Sequence, residues 1–201
     1  THMSKQLRDV YVVAATRTPI GKSGRGVFKN TRPDDLLVAV IKSALSQVPT
    51  LDPAAIEDAI VGCAMPEGEQ GMNVAKIAVL LSGLPKTVAG ATVNRFCASS
   101  VQTTRMAYHA IKAGEGDIFV SGGVECVSQY QSFAGAGGVD GDAMNPLFND
   151  AQARSAEMAK TNETWTDPRE QGLLPDVYLA MGQTAENVAT SRGMDRLRMD
   201  E

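Results

Sequence analysis

Ala91-Thr92-Val93-Asn94-Arg95-Phe96-Cys97-Ala98-Ser99-Ser100-Val101-Gln102 is the stretch on which the reading of this chain turns. The apolar, β-branched run from Val88 to Val93 has the length and composition of a buried strand. The small residues after Cys97 open a helix-compatible segment that ends near Gly114. Cys97 therefore falls where a strand passes into the N-terminus of a helix. At such a position the unpaired N–H groups and the positive end of the helix dipole favour thiolate over thiol, and the same donors can hold an oxyanion when a carbonyl is attacked there. The competing reading is a buried, inert cysteine, a common state for this residue at a strand end.

Outward from this stretch the pattern alternates. Val10 to Ala15 is a continuous apolar run, which predicts a strand covered on both faces. Thr16 to Gly26 is a loop, and from Arg17 to Arg32 there are five basic residues and no acid. Lys22 and Arg25 could meet a phosphate or an acidic surface, but the glycine spacing is not the dinucleotide fingerprint and a solvated loop is the better reading. Pro33, Asp34 and Asp35 suit a helix first turn, and Leu36, Leu37, Val40, Ile41, Ala44 and Leu45 then form one apolar stripe. Ala59 to Ala64 predicts a second strand, Pro66 to Gly71 a turn, and Val74, Ile77, Ala78 and Leu81 the inner face of a second amphipathic helix. After the helix that follows Cys97, Ile118 to Ser121 predicts another strand, closed by Gly122 and Gly123, which allow close approach of either a ligand or a neighbouring helix. Strands and helices alternating in this way predict an α/β fold with crossover units in a mostly parallel sheet.

From Gln129 to Ala180 the character changes. Gly135-Ala136-Gly137-Gly138, Asp140-Gly141-Asp142 and Asn145-Pro146 break any regular period, with Asp150 to Lys160 offering a helix. Met181 to Ser191 resumes a helical pattern, with Thr184 as a candidate N-cap and Ala185, Val188 and Ala189 on one face. The charged segment Arg196 to Glu201 carries no closing signal, which is the expectation for a chain continuing past Glu201.

Composition narrows the class. The 201 residues, 43% hydrophobic and 21% charged, can bury one sizeable core or a core with an appended lobe. A formal net charge of -4 argues against a nucleic-acid partner. No apolar run approaches the roughly 20 residues of a membrane span, and the N-terminus lacks a signal-peptide core, so a cytoplasmic protein is expected. Cys63, Cys97 and Cys126 are too few and too far apart for a disulfide framework or a zinc site, and no metal is expected. Thr1-His2-Met3, residues 1–3, reads as the remnant of a cleaved tag. His109, twelve positions beyond Cys97 in one helix, would lie ~18 Å along the axis and so out of reach of the thiol.

Val93-Asn94-Arg95-x-Cys97-x-Ser99-Ser100-x-Gln102, then Gly122-Gly123-Val124-Glu125, then Met181-Gly182-x-Thr184-Ala185-Glu186-Asn187-Val188-Ala189 resemble, in this order, the thiolase family. The pattern is most similar to the degradative 3-ketoacyl-CoA thiolases, since biosynthetic relatives often carry histidine where this chain has Ala180. The resemblance extends from Val10 to Glu201.

It implies the N-terminal half of a layered thiolase fold with a mostly parallel, mixed sheet. Residues 4–128 would form the α/β domain carrying the nucleophile. Residues 129–201 would form part of a loop domain over the coenzyme A site. Cys97 would be acylated in the thiolysis of a 3-ketoacyl-CoA to acetyl-CoA and a shortened acyl-CoA, or in the reverse condensation. Met181 and Gly182 would lie near the reacting acyl group, and a histidine base and a second cysteine would follow Glu201. Acyl-CoA and coenzyme A would be substrates with no tightly bound cofactor. Partners would be a second copy or three, as homodimer or homotetramer, and a β-oxidation subunit. Phe96 and Ala98 depart from the residues many relatives carry there, while leaving the cysteine in place. Two other readings stay open: a ketoacyl-synthase-type condensing enzyme, and a non-catalytic acyl-CoA or lipid-binding module of the same fold.

Overall fold

A computed structural model describes residues 8–129, 144–161 and 163–201. Thr1-His2-Met3 and the glycine-rich stretch from Gly135 to Asp142 lie outside them. The chain divides into two compact units, the first ending at Tyr130 and the second beginning at Gln131.

In the first unit, β1 (Asp58–Gly62) is the central strand, with β2 (Ala89–Val93) on one side and β3 (Phe119–Gly123) on the other. Both pairings are parallel, Asp58 standing opposite Ala89 and Phe119. Helix α2 (Val74–Leu81) carries the chain from β1 to β2, and α3 (Ser99–Ala113) returns it across β1 to β3. Two crossovers of the same hand running in opposite directions place their helices on opposite faces of the sheet. The burial pattern of β1 agrees. Ala59, Val61 and Cys63 pack into an apolar cluster with Leu37 and Ile41 of α1 (Pro33–Ser46) and Val74, Ala75, Ala78 and Val79 of α2. The alternate residues belong to the α3 side, where Gly62 meets Ser99 and Ser100.

Local chemistry sets the ends of these helices. Pro33 opens α1, with Arg32 held in a two-pronged ion pair to the buried Asp34 at 3.0 and 2.9 Å. Asn73 caps α2 by accepting from Lys76 N–H. Gly114, with φ +80°, closes α3 in the left-handed conformation that glycine adopts without cost.

The face of α3 turned to the sheet is small and partly polar: Ser99, Thr103 and Ala107, at i, i+4 and i+8, are buried. Thr103 Oγ1 lies 3.0 Å from Ser121 Oγ and donates to Gly122 O at 3.2 Å. Small residues let the helix approach closely, and Gly62 allows it to approach further. A Cβ there would lie 2.7 Å from Ser100 N and 2.8 Å from Ser99 Cβ. A Cβ on Gly123 would overlap Ser100 Oγ, whereas one on Gly122 meets nothing within 4 Å. Of the two readings for Gly122 and Gly123, close helix packing therefore holds for Gly123.

Several expectations are corrected. Val10 to Ala15 forms no strand: Tyr11, Val12 and Val13 are 77, 82 and 72% exposed. An apolar run of strand length still needs a ladder partner, and Ala15 instead exchanges both its N–H and C=O with the side-chain amide of Gln47, at 3.2 and 3.1 Å. The run ending at Val93 is half-buried rather than buried, because β2 has a neighbour on one side only among the described residues. On α2 the buried stripe is Val74, Ala75, Ala78 and Val79, while Leu81 is exposed, so the inner face is rotated from the one that Ile77 and Leu81 suggested. The expected α/β fold with a mostly parallel sheet is observed, both strand pairings among the described residues being parallel.

The second unit holds α4 (Asn149–Met158), α5 (Met181–Arg192) and α6 (Arg196–Asp200). Phe148 and Tyr178 pack edge to face at 5.7 Å, and Arg154 donates to Leu174 O at 2.6 Å. Thr184 is not the cap of α5. Its hydroxyl donates back to Ala180 O at 3.3 Å, and Ala180 is the N-cap.

Replacing Gly62 by alanine is expected to lower the unfolding free energy by about 1–3 kcal/mol, whereas Gly122→Ala stays within about 0.5 kcal/mol of the parent. Urea unfolding midpoints of the two variants provide the check.

Candidate active site

The C-terminal ends of β1, β2 and β3 lie side by side, at the place in the sheet where the chain reverses its direction of travel. Crevices of open α/β sheets form there. Three segments emerge: Cys63 to Met65, Asn94 to Cys97, and Val124 to Cys126.

Cys97 sits in a single 3-10 turn, Phe96–Ala98, between β2 and α3, and its side chain is exposed. The turn is tight enough to force Phe96 to φ +45°, a conformation that costs a side-chain-bearing residue about 1–3 kcal/mol. Hydrogen bonds hold it there. Asn94 Oδ1 accepts from Phe96 N–H at 2.8 Å. Ser99 Oγ accepts from Arg95 N–H at 2.8 Å and donates to Phe96 O at 2.6 Å. Ala98, the N-cap of α3, brings no side-chain acceptor, so the cap leaves the dipole end of the helix beside the cysteine. The geometry is a strand–strained turn–helix elbow that presents a thiol, the arrangement that suits a nucleophile.

The neighbouring segments are tied to one carboxylate. Glu125 accepts from Ala64 N–H at 2.7 Å, Met65 N–H at 3.3 Å and Gln70 Nε2 at 2.7 Å. The buried Gln70 also donates to Met65 O and accepts from Cys126 N–H. Asn94 Nδ2 donates to Ala64 O at 2.9 Å, which links this knot to the elbow. Sequence reasoning placed Asn94 and Glu125 within the matching motifs and gave them no role. The one available signal was a carboxylate and an amide directly after strand ends.

The other cysteines are unlike Cys97. Cys63 and Cys126 are buried. Burial, reinforced by the charge of Glu125, pushes the Cys63 thiol up to about 12. His109 lies on α3 beside Tyr108 with ring centroids 5.6 Å apart, exposed and in the same helix that Cys97 precedes.

Met181 and Gly182 belong to the second unit, where both open α5 and are exposed. That unit has its own cavity of about 360 Å³, lined among others by Arg154, Met158, Trp165, Leu174 and Asn187; neither Met181 nor Gly182 lines it. No cluster of potential metal ligands occurs among the described residues.

The sequence model of the thiolase N-terminal domain matches residues 10–201. The chain belongs to the thiolase family. A 3-ketoacyl-CoA thiolase of Aeromonas hydrophila is 38% identical over 195 residues, 97% of this chain and 43% of that protein. The 3-oxoadipyl-CoA/3-oxo-5,6-dehydrosuberyl-CoA thiolase of Escherichia coli K12 is 39% identical over 91% of this chain and 43% of its own length. The crystal structure of the Bacillus anthracis acetyl-CoA acetyltransferase superposes with a TM-score of 0.59 at 34% identity, covering 64% of this chain and 32% of that one. The chain thus spans less than half the length of these relatives. No helix among the described residues is long and apolar enough to cross a membrane.

Two outcomes follow from the contrast between the thiols. Iodoacetamide at about pH 8 is expected to alkylate Cys97 in the native chain and leave Cys63 unmodified, as read by peptide mass. Because the folded state keeps the Cys63 proton that the unfolded state releases, this contribution to stability is full below about pH 9 and is lost as pH rises toward 12. The unfolding free energy of Cys63→Ala should therefore fall less steeply than that of the parent across that alkaline window.

Proposed function

We propose that this chain is the N-terminal part of a 3-ketoacyl-CoA thiolase and that Cys97 is its nucleophile. The observation that carries the reading is the exposed thiol of Cys97 on a strained elbow at the dipole end of α3, within a chain of the thiolase family. The relatives' names supply the substrate class: 3-ketoacyl-CoA thioesters.

The Cys97 thiolate attacks the ketone carbon of the substrate, forming an S–C bond and an alkoxide. Collapse of the alkoxide breaks the Cα–Cβ bond, and the electron pair passes to the α carbon as the enolate of acetyl-CoA, which takes a proton and leaves. The thiol of coenzyme A, giving up its proton to a base, then attacks the acyl-Cys97 thioester. This releases the shortened acyl-CoA and regenerates the cysteine. Cys97 N–H, at the start of α3, supplies part of the hole for the oxyanion that develops at the acylated carbon, the neighbouring Arg95, Phe96 and Ala98 N–H groups being engaged within the turn. The base and the acid are a histidine and a second cysteine, carried by residues that follow Glu201 in the full-length protein.

Met181 and Gly182, in the second unit, are substrate-binding residues for the acyl-CoA. That unit's own cavity supports a ligand-binding role. No cofactor is held tightly, coenzyme A entering as a substrate. The working assembly is a homodimer or homotetramer, and the compartment is the cytoplasm.

In the full-length protein, Cys97→Ser is expected to reduce thiolysis of a 3-ketoacyl-CoA by at least about a thousandfold and to abolish the mass gain of one acyl group on the peptide containing residue 97. Near-normal turnover in that variant would refute the assignment.

A further inference from the structure

We infer that Glu125 and Asn94 act as positioning residues for Cys97, through one hydrogen-bond relay that crosses the ends of all three strands and ends on Phe96, the residue before that cysteine. The inference rests on Cys97 being the working thiol, as proposed above.

The relay starts at the Glu125 carboxylate, just past the end of β3. Gln70 fixes its orientation, with Nε2 2.7 Å from Oε1, and is itself pinned by Cys126 N–H at 2.9 Å. The carboxylate then grips the segment past β1 at Ala64 N–H and Met65 N–H. The peptide between Ala64 and Met65 is engaged at both ends: its N–H donates to Glu125, and its C=O accepts from Asn94 Nδ2 at 2.9 Å. Hydrogen bonds on both sides of one peptide polarise it and strengthen one another. Asn94, just past the end of β2, passes the constraint on through Oδ1 to Phe96 N–H at 2.8 Å.

The relay ends on the one residue of the elbow with a left-handed backbone, immediately before the nucleophile. A strut that merely closed the sheet would end on its ladder. The ladder already has its own continuation here, Cys63 N–H to Val93 O and Val124 N–H to Gly62 O, both at 3.0 Å. The side-chain relay is additional to that continuation. Removing Asn94 or the Glu125 charge frees Phe96 to leave φ +45° for the right-handed or extended regions, which swings the next peptide and withdraws the thiol from the start of α3.

The test uses the full-length protein with Glu125→Gln, Asn94→Ala and the double variant. Glu57→Gln serves as the control, because Glu57 also accepts a backbone N–H, that of Asp117 at 3.0 Å, but at the opposite end of β1. Thiolysis of a 3-ketoacyl-CoA, split into kcat and KM, is measured together with the rate of Cys97 alkylation by iodoacetamide and the thermal midpoint. Each single variant is expected to lower kcat about tenfold or more with KM within about twofold, and the double variant to lose no more than the worse single. Alkylation of Cys97 is expected to slow about threefold. Glu57→Gln keeps parental kcat whatever happens to its midpoint. Unchanged kcat in both singles, additive losses in the double, or an equal loss in Glu57→Gln would overturn the relay. Should Glu125→Gln not fold, Asn94→Ala against Glu57→Gln decides alone. A parent protein without thiolysis refutes the proposed function instead, and alkylation rates, which need no substrate, still judge the relay.

Discussion

The structure of the first unit depends on how closely the first turn of α3 is pressed against the ends of β1 and β3. Gly62 and Gly123 have no side chains at the two places where Ser99 and Ser100 arrive, so the helix axis can sit nearer the sheet than ordinary side chains permit. The buried stripe Ser99, Thr103 and Ala107 matches that closeness, with the Thr103 hydroxyl satisfied by β3. Between the last residue of β2 and the first turn of a helix seated this low runs only the short segment Asn94 to Ala98. The turn at Phe96 is correspondingly sharp, and it leaves the following cysteine exposed at the helix start.

Strain at Phe96 persists because the surroundings over-determine it. Its N–H is held by Asn94 and its carbonyl by Ser99, two bonds that each contribute on the order of 1 kcal/mol against a backbone cost of similar size. The same neighbourhood separates three chemically identical side chains. Cys63, one strand away, is sealed beneath the sheet and faces a carboxylate, so its proton stays on. Cys126 is buried and gives its backbone N–H to Gln70. Only at Cys97 do exposure and a helix start coincide.

Much of this was legible in the sequence, because the relevant signals are local. Helical spacing, proline and acidic residues at a helix start, and β-branched runs located α1, α2, α3 and all three strands, and the switch from strand to helix located Cys97 at the turn. What could not be read depends on residues far apart in sequence. Val10 to Ala15 has every intrinsic property of a strand and lacks a partner strand, a fact about the sheet edge rather than about the run. The inner face of α2 is rotated because packing against α1 and β1, not the apolar count, selects it. Gly62 passed unnoticed because the atoms it makes room for lie nearly forty positions away. Glu125 reaches Ala64 and Met65 across some sixty residues, a link that no local period encodes.

The order of the strands has a consequence for the chain as it is being made. The central strand comes first, and both of its neighbours come later, so no rung of the sheet can form until the ribosome has passed β2. The sheet is incomplete until β3 emerges. The carboxylate that grips the segment beyond β1 follows two residues later. A nascent chain stopped short of that point already contains Cys97, but on a loop that Glu125 does not yet brace. The elbow around Cys97 is therefore completed late, only when the lobe has closed around the ends of its three strands.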